Sequence, residues 1–142
     1  MFRFVVRHLH WLARVPLAPH LFDALLLAWT TVFAREKLRA IEALEAAVLR
    51  LPGVTPARHR YGGVGFVHAG REFAHLHGNG LLDVELTREH AAALVAAGRA
   101  QPHHVFGPSA WISLQLHTSV DCEPALAILN LAISLRRECS PN

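Results

Sequence analysis

The sequence has few cysteines, few charged residues and one lysine, and each scarcity excludes a class of protein. Cys122 and Cys139 are the only cysteines among 142 residues, too few for a disulfide framework or a CxxC zinc site. Charged residues make up 18% of the chain, below the roughly 25% typical of soluble domains. Apart from Lys37, the basic residues are arginines scattered from Arg3 to Arg137. They form no basic patch, so we expect no nucleic acid partner.

Familiar catalytic motifs are also absent from the sequence. The chain has no GxGxxG or GxxxxGKS/T phosphate loop, no GxSxG nucleophile elbow and no HExxH helix. Ser109 and Ser113 lack an evident His/Asp arrangement, and Cys122 lacks a nearby base. The sequence therefore assigns no catalytic residue, and whether the protein is an enzyme stays open.

The chain is instead rich in hydrophobic residues and histidine. Hydrophobic residues make up 52% of it and the mean hydropathy is +0.26, which is enough for the core of one compact domain. The high hydropathy indicates that some apolar surface meets a ligand, a membrane or another copy of the chain. The eleven histidines carry little charge at neutral pH and gain it on mild acidification.

We separate an apolar N-terminal segment, residues 1–34, from a domain over residues 35–142. Basic residues in 1–14 recur at helical spacing opposite an apolar face. The uncharged run 24–34 is about half of the roughly 20 residues that span a bilayer.

Three interpretations of this segment stay open. It is a signal peptide, an interfacial anchor lying on a membrane surface, or a pair of helices packed on the domain or on a second copy of it. The second interpretation places a cytoplasmic protein peripherally on the inner face of the membrane.

The rest of the chain alternates between helical periodicity and the period of two that is typical of strands. Together the elements predict an α+β fold, a mainly antiparallel sheet with helices packed on one face. In chain order they are a helix over 35–51, strands over 64–66, 72–77 and 82–86, a helix from Thr87 to Gly98, a connection over 100–104, a strand over 111–116 and a closing helix opened by Glu123.

Strand alternation assigns side chains to the two faces of this sheet. We expect helices to cover the face bearing Leu76, Leu82, Val84, Ile112 and Leu114. The opposite face is either an ordinary solvated surface or a platform for a small, partly apolar ligand, with histidines that hydrogen-bond or transfer protons. It collects Phe73, His75, His77, Asp83, Glu85, Trp111, Ser113 and Gln115.

A metal site is a more specific form of the hypothesis that this face binds a ligand. His75 and His77 lie two residues apart and therefore on one side of a strand, and neutral imidazoles are common ligands of transition metals. Asp83 or one of the pair His103-His104 would complete three ligands. The cofactor thus stays unknown, with a divalent transition metal as the candidate. For the loop pair His103-His104, fixing the loop by hydrogen bonds is favoured over ligation.

The stretches YGGVGF, GREFAHLHGNGLLDVEL, LVAAGRAQPHHVF and SAWIS resemble the luciferase-domain-containing proteins of bacteria and fungi. The resemblance covers most of the chain and implies no assured light-emitting reaction, so oxidoreductase-like activity follows from the family name only. The element order is more loosely similar to MmcQ/YjbR-like domains. Functional positions that the resemblance implies are His75, His77, Asn79, Gly80, Asp83, His103, His104 and Trp111.

The function expected from the sequence is binding of a small, partly apolar ligand on the histidine-bearing face. The alternative is a membrane-associated or protein-interaction module without chemistry, in which the histidines are structural. The ligand-binding residues we predict are His75, His77, Asn79, Asp83, His103, His104 and Trp111.

Overall fold

The computed structural model describes residues 18–138, and this part of the chain forms four α-helices around one six-stranded sheet. The helix predicted over residues 1–14 lies outside the described residues. The elements are α1 (Ala18–Phe33), α2 (Arg35–Val48), β1 (Val54–Arg58), β2 (Val64–His68), β3 (Arg71–Leu76), β4 (Leu81–Glu85), α3 (Arg88–Ala96), β5 (Gln101–His103), β6 (Gly107–Gln115), a 3-10 turn (Ser119–Asp121) and α4 (Cys122–Glu138).

The sheet has the strand order β1-β2-β3-β4-β6-β5, and each neighbouring pair is antiparallel. The α+β fold predicted from the sequence is confirmed. Its α3 begins at the predicted N-cap, because the Thr87 hydroxyl accepts a hydrogen bond from the backbone N–H of His90. The helix ends just before Gly98, whose φ of 68° suits a glycine after a helix C-terminus.

Two of the six strands are missing from the sequence prediction, and both carry a proline. β1 contains Pro56, and β5 contains Pro102 in the segment 100–104 that we expected to be a connection. That expectation is wrong, because Gln101–His103 pairs with β6. Proline has no backbone donor and argues against a central strand, but both strands lie at edges of the sheet, where a missing donor is tolerated.

One face of the sheet carries the hydrophobic core. Helices α2 and α4 pack on this face and contact each other, and α3 packs against β6. Leu76, Leu82, Val84 and Ile112 are buried there and Leu114 packs at its margin, so the predicted helix-covered face is confirmed. Burying large aliphatic side chains in this way stabilises the fold by about 1.5–3 kcal/mol each.

A β-bulge corrects the predicted position of Phe73. Phe66 pairs with Ala74, but the next residue of β2, Val67, pairs with Glu72, so β3 holds one extra residue at this point. As a result Phe73 lies in the hydrophobic core and not on the histidine-bearing face where strict alternation places it. The same shift puts Glu72 beside His75, on the histidine side.

Helix α1 packs against α2 and against the turn between β3 and β4. At this turn a Cβ on Gly78 would lie 2.8 Å from the Cβ of Leu27 in α1, so the glycine permits the close approach of helix and turn. Asp23 of α1 is buried and accepts a hydrogen bond from the Gly78 N–H at 3.0 Å. Within residues 18–138, no helix combines the length and hydropathy needed to cross a membrane.

Candidate functional site

A cluster of histidines and carboxylates lies on the sheet face opposite α2 and α4. Its centre is Asp83 in β4, which is fully buried. Asp83 pairs across the sheet with His75 of β3 and with Ser113 of β6, so three adjacent strands place their side chains together. The Ser113 hydroxyl donates a hydrogen bond to Asp83 Oδ1. Since a buried carboxylate is costly without partners, this site depends on its hydrogen bonds.

Three imidazole nitrogens surround the other oxygen of Asp83. His75 Nε2 lies 3.1 Å from Oδ2, His104 Nδ1 3.6 Å and His103 Nε2 3.7 Å. Burial alone would raise the pKa of the Asp83 carboxyl, but its contacts with His104, His75 and Ser113 hold that pKa far below its ordinary value. Asp83 is therefore an anion at the centre of the cluster.

Glu72 joins a second pair of histidines. Its Oε1 lies 2.7 Å from His59 Nδ1 and 3.1 Å from His75 Nδ1, and the rings of His59 and His75 stack with centroids 3.7 Å apart. Burial lowers the pKa of His59 to about 4. Burial also opposes a charge on His75, but its hydrogen bonds to Asp83 and Glu72 raise the pKa of its imidazole above the usual value.

His77 extends the cluster towards α1. Its Nδ1 lies 3.3 Å from Asp23 Oδ1, and its ring meets those of His59 and His75 edge-on at 5.6 and 5.2 Å. The same Asp23 oxygen also accepts the Gly78 N–H. Helix α1 thus contributes a carboxylate to the site, so the N-terminal segment takes part in the cluster that the sequence analysis assigned to the domain alone.

The hydrogen bonds of His103 fix its tautomer. Its Nδ1 accepts the backbone N–H groups of Val105 and Phe106 at 3.1 and 3.2 Å. When Nδ1 is an acceptor, the proton of the neutral imidazole is on Nε2, the atom that faces Asp83. Burial lowers the pKa of His103 to about 4, which keeps this neutral form at neutral pH.

Trp111 of β6 connects the cluster to an apolar groove. Its ring centroid lies 5.4 Å from that of His75 and 6.1 Å from that of His103. The same side chain lines a groove of about 410 Å³ between α3 and the β5–β6 hairpin. The other groove-lining residues are Arg88, Ala91, Ala92, Val95, Ala96, Pro102, Pro108, Ser109 and Ile112.

The structure brings together six of the seven predicted ligand-binding residues: His75, His77, Asp83, His103, His104 and Trp111. Asn79 is different, because its side chain accepts the Leu81 N–H inside the β3–β4 turn. Gly80 has a positive φ of 80° in the same turn, so both serve the turn. Glu85 forms ion pairs with Arg71 and Arg136. What these residues bind stays a prediction.

Sequence reasoning missed three members of the cluster. His59 directly follows the unrecognised strand β1, Glu72 reaches the cluster through the bulge, and Asp23 comes from α1. The single acidic residue in the largely apolar segment of α1 was a usable signal for Asp23, since a carboxylate in such a helix needs a partner when it is buried. The other two depend on strand pairing, which single-sequence periodicity does not give.

Two groups among the described residues bring three ligand atoms within 4.8 Å of one another. They are His59, His75 and His77, and His75, Asp83 and His103. The metal ligands predicted from the sequence, His75 and His77, both belong to the first group. All five side chains are buried.

Residues 70–132 match the family model described as Luciferase domain. The matched stretch begins at the turn before β3 and ends within α4, so it includes Glu72, His75, His77, Asp83 and Trp111. No curated protein and no solved structure matches the chain. The looser similarity of fold to MmcQ/YjbR-like domains therefore stays an expectation.

Proposed function

We propose that this chain, whose residues 70–132 match the Luciferase domain model, binds a small, partly apolar molecule between the α3–β6 groove and the histidine cluster. The apolar part of the ligand lies in the groove, and a polar group of the ligand meets the cluster. The observation that carries the proposal is the position of Trp111, which lines the groove and also contacts two cluster histidines.

The composition of the two regions supports this division. The groove is lined mainly by alanine, valine, isoleucine and proline side chains, and its volume of about 410 Å³ lies in the range of small-molecule sites. Beside it, the cluster offers imidazoles in different protonation states: burial holds His59 and His103 neutral, whereas two carboxylates favour a charged His75. Such pairs of differently tuned groups are typical of ligand and proton-transfer sites.

Arg88 adds a charged group at the groove. It is the first residue of α3, it is exposed and it lines the groove. A ligand with an anionic end would therefore find a cation at the groove and imidazoles next to Trp111. This arrangement favours amphiphilic molecules over fully polar ones.

A thermal-shift screen tests the proposal. Flavins, nicotinamide nucleotides, long-chain aldehydes and fatty acids are added to the full chain, and a molecule that binds the native state raises the melting temperature. Ala92→Leu fills the groove, because Ala92 lines it. Ala93→Leu is the matched control, since Ala93 is an exposed alanine of the same helix outside the groove lining.

We expect at least one class of compound to raise the melting temperature of the unmodified protein and of Ala93→Leu, and to lose that effect in Ala92→Leu. A compound that shifts both variants equally would place its site outside the groove. The absence of any shift across the panel would overturn the proposal.

The second candidate is attachment to a lipid surface without chemistry. Helix α1 favours it, because one side of the helix exposes Leu21, Leu25, Trp29, Val32 and Phe33 at 61–67% of their surface. A helix that exposes aromatic and aliphatic side chains on one side is typical of interfacial binding. Co-sedimentation with vesicles containing anionic lipid tests this candidate. We expect the unmodified protein to sediment with the vesicles and Leu25→Gln to stay in the supernatant. Equal binding by the unmodified protein and the variant would contradict the candidate.

A further inference from the structure

We propose that His59, His75 and His77 form a binding site for one divalent transition-metal ion. The site goes beyond the proposed ligand function and is tested separately from it, because none of the three histidines lines the groove. Its geometry comes from three separate elements: the end of β1, strand β3 and the turn after β3.

The three imidazoles already converge without an ion to draw them together. Each offers a ring nitrogen within 4.8 Å of the other two, and each residue is at most 8% exposed. Two ligands on one tetrahedral ion lie about 3.3 Å apart, so small side-chain rotations bring the nitrogens into coordination. The stacked rings of His59 and His75, 3.7 Å apart, would tilt towards a shared ion.

Carboxylates hold the Nδ1 atom of each histidine. Glu72 Oε1 faces Nδ1 of His59 and of His75, at 2.7 and 3.1 Å, and Asp23 Oδ1 faces Nδ1 of His77 at 3.3 Å. Metal-binding histidines commonly donate their second ring N–H to a carboxylate, which fixes the tautomer and leaves the other nitrogen for the metal. The three residues share this carboxylate contact at Nδ1, which favours Nε2 as the ligand atom of each histidine.

The environment of His75 adds a second argument. With Nδ1–H donated to Glu72, its Nε2 lone pair would face Asp83 Oδ2 at 3.1 Å. Two acceptors at this distance repel each other unless a positive charge lies between or beside them. A bound ion beside Nε2 supplies that charge in place of the proton.

The alternative triad of His75, Asp83 and His103 fits a metal less well. Nδ1 of His103 accepts two backbone N–H groups, so Nε2 carries the proton. That nitrogen points towards Asp83 at 3.7 Å and has no lone pair to offer. His103 therefore belongs to the hydrogen-bonded shell around Asp83.

The donor set selects the class of ion. Three neutral imidazoles suit zinc, copper(II), nickel(II) or iron(II), whereas magnesium and calcium prefer oxygen ligands. Three protein ligands also leave a coordination position open, as in catalytic zinc sites. Cobalt(II) is the practical probe, because its tetrahedral complexes absorb visible light.

The experiment titrates Co²⁺ alone into the full, tag-free chain, stripped with a chelator, and follows visible absorption. Zn²⁺ then competes for the site. We expect one ion per chain, loss of binding in His59→Ala, and unchanged binding in His68→Ala. His68 is the matched control, because it is a buried histidine of the same sheet outside both triads.

A second variant, Glu72→Gln, is needed in case His59→Ala fails to fold. Glu72→Gln keeps all three proposed ligands and changes only the carboxylate that contacts two of them. We expect it to weaken binding about 10- to 100-fold, with circular dichroism confirming the fold. His103→Ala should bind as the unmodified protein does. The proposal is overturned by the absence of saturable binding, or by a loss in His103→Ala or His68→Ala as large as in His59→Ala. No organic ligand is present, so the result is independent of the groove screen.

Discussion

Both faces of the sheet hold fully buried side chains, but different forces stabilise them. Leu82 and Asp83 are neighbours in β4, both fully buried, and they point to opposite sides. Leu82 meets aliphatic side chains from the helices, and its contribution is proportional to the area removed from water. Asp83 meets imidazoles and a hydroxyl, and its burial is tolerated only because each oxygen has partners. Equal burial therefore does not mean equal tolerance of substitution.

The largest expected effect is the loss of the central carboxylate. Asp83→Ala leaves the Ser113 hydroxyl and the His75 imidazole without their acceptor, and breaking a buried pair in this way costs about 3–5 kcal/mol. Urea unfolding measures the free energy. Asp83→Asn is the matched control and should cost less, because its amide oxygen still accepts from Ser113. Equal losses in the two variants would contradict the assigned contribution of the hydrogen bond from Ser113.

On the helix-covered face, Leu82→Ala should cost about 2–5 kcal/mol through lost transfer energy and a cavity. Added salt is a control for this comparison, because it screens charges, exposed pairs much more than buried ones, and leaves aliphatic packing unaffected. We expect the unfolding free energy of Leu82→Ala to follow that of the unmodified protein at all salt concentrations. A salt dependence peculiar to Leu82→Ala would break the distinction between the faces.

Acidification should destabilise the protein through the histidine-bearing face. Burial lowers the folded-state pKa of His59 and His103 to about 4, whereas unfolded histidine has a pKa of about 6.5. Between these values the unfolded chain binds more protons, so stability falls as the pH falls, by at most about 1.4 kcal/mol per pH unit for each histidine.

His75 acts in the opposite sense, because its pKa is raised: the stability it contributes is present below pH 6.5 and is lost as the pH rises through its folded-state value. Urea unfolding at several pH values, with a chelator present, measures both trends. His59→Gln should reduce the acid slope while Leu82→Ala leaves it unchanged. A slope unaffected by His59→Gln would contradict the assignment.

A smaller effect is expected where α1 meets the β3–β4 turn. Gly78→Ala places a Cβ 2.8 Å from that of Leu27, and overpacking of this kind costs about 1–3 kcal/mol. A shift of the helix would also break the hydrogen bond that Asp23 accepts from the Gly78 N–H, so the NMR chemical shifts of Asp23 and His77 should change in the variant. Unchanged chemical shifts at Asp23 and His77 would show that α1 does not separate from the turn.

The smallest effect belongs to an exposed ion pair. Arg71 binds Glu85 with its side chain 69% exposed, and such pairs contribute about 0–1 kcal/mol. Arg71→Ala should therefore change the unfolding free energy by less than the Gly78 variant does. A larger loss would mean that Glu85 needs both of its arginine partners.

The sequence predicts what depends on local periodicity. Alternation in β3 and β4 correctly places His75 and Asp83 opposite Leu76 and Leu82, and a hydroxyl residue three positions before His90 correctly marks the start of α3. These features depend on neighbouring residues alone, so one chain suffices to find them.

Features that depend on strand pairing escape the same reasoning. The prolines in β1 and β5 make these two strands hard to recognise from the sequence. Because β1 is not recognised, the position of His59, which directly follows it, is not predicted either. The bulge reverses the faces of Glu72 and Phe73, because an extra residue changes the phase of the alternation. Asp23 joins the cluster across 54 residues of sequence separation, a contact that only tertiary packing creates.

The prolines at the two sheet edges also bear on self-association. An exposed edge strand with free backbone groups is a template for adding strands from other molecules, and this is a common route to aggregation. Pro56 in β1 and Pro102 in β5 each remove a donor from an outer strand. Both ends of the six-stranded sheet are thus poor templates for a further strand. If copies of this chain assemble, the contact should form through side chains, such as the apolar stripe on α1, and not through a continuous intermolecular sheet.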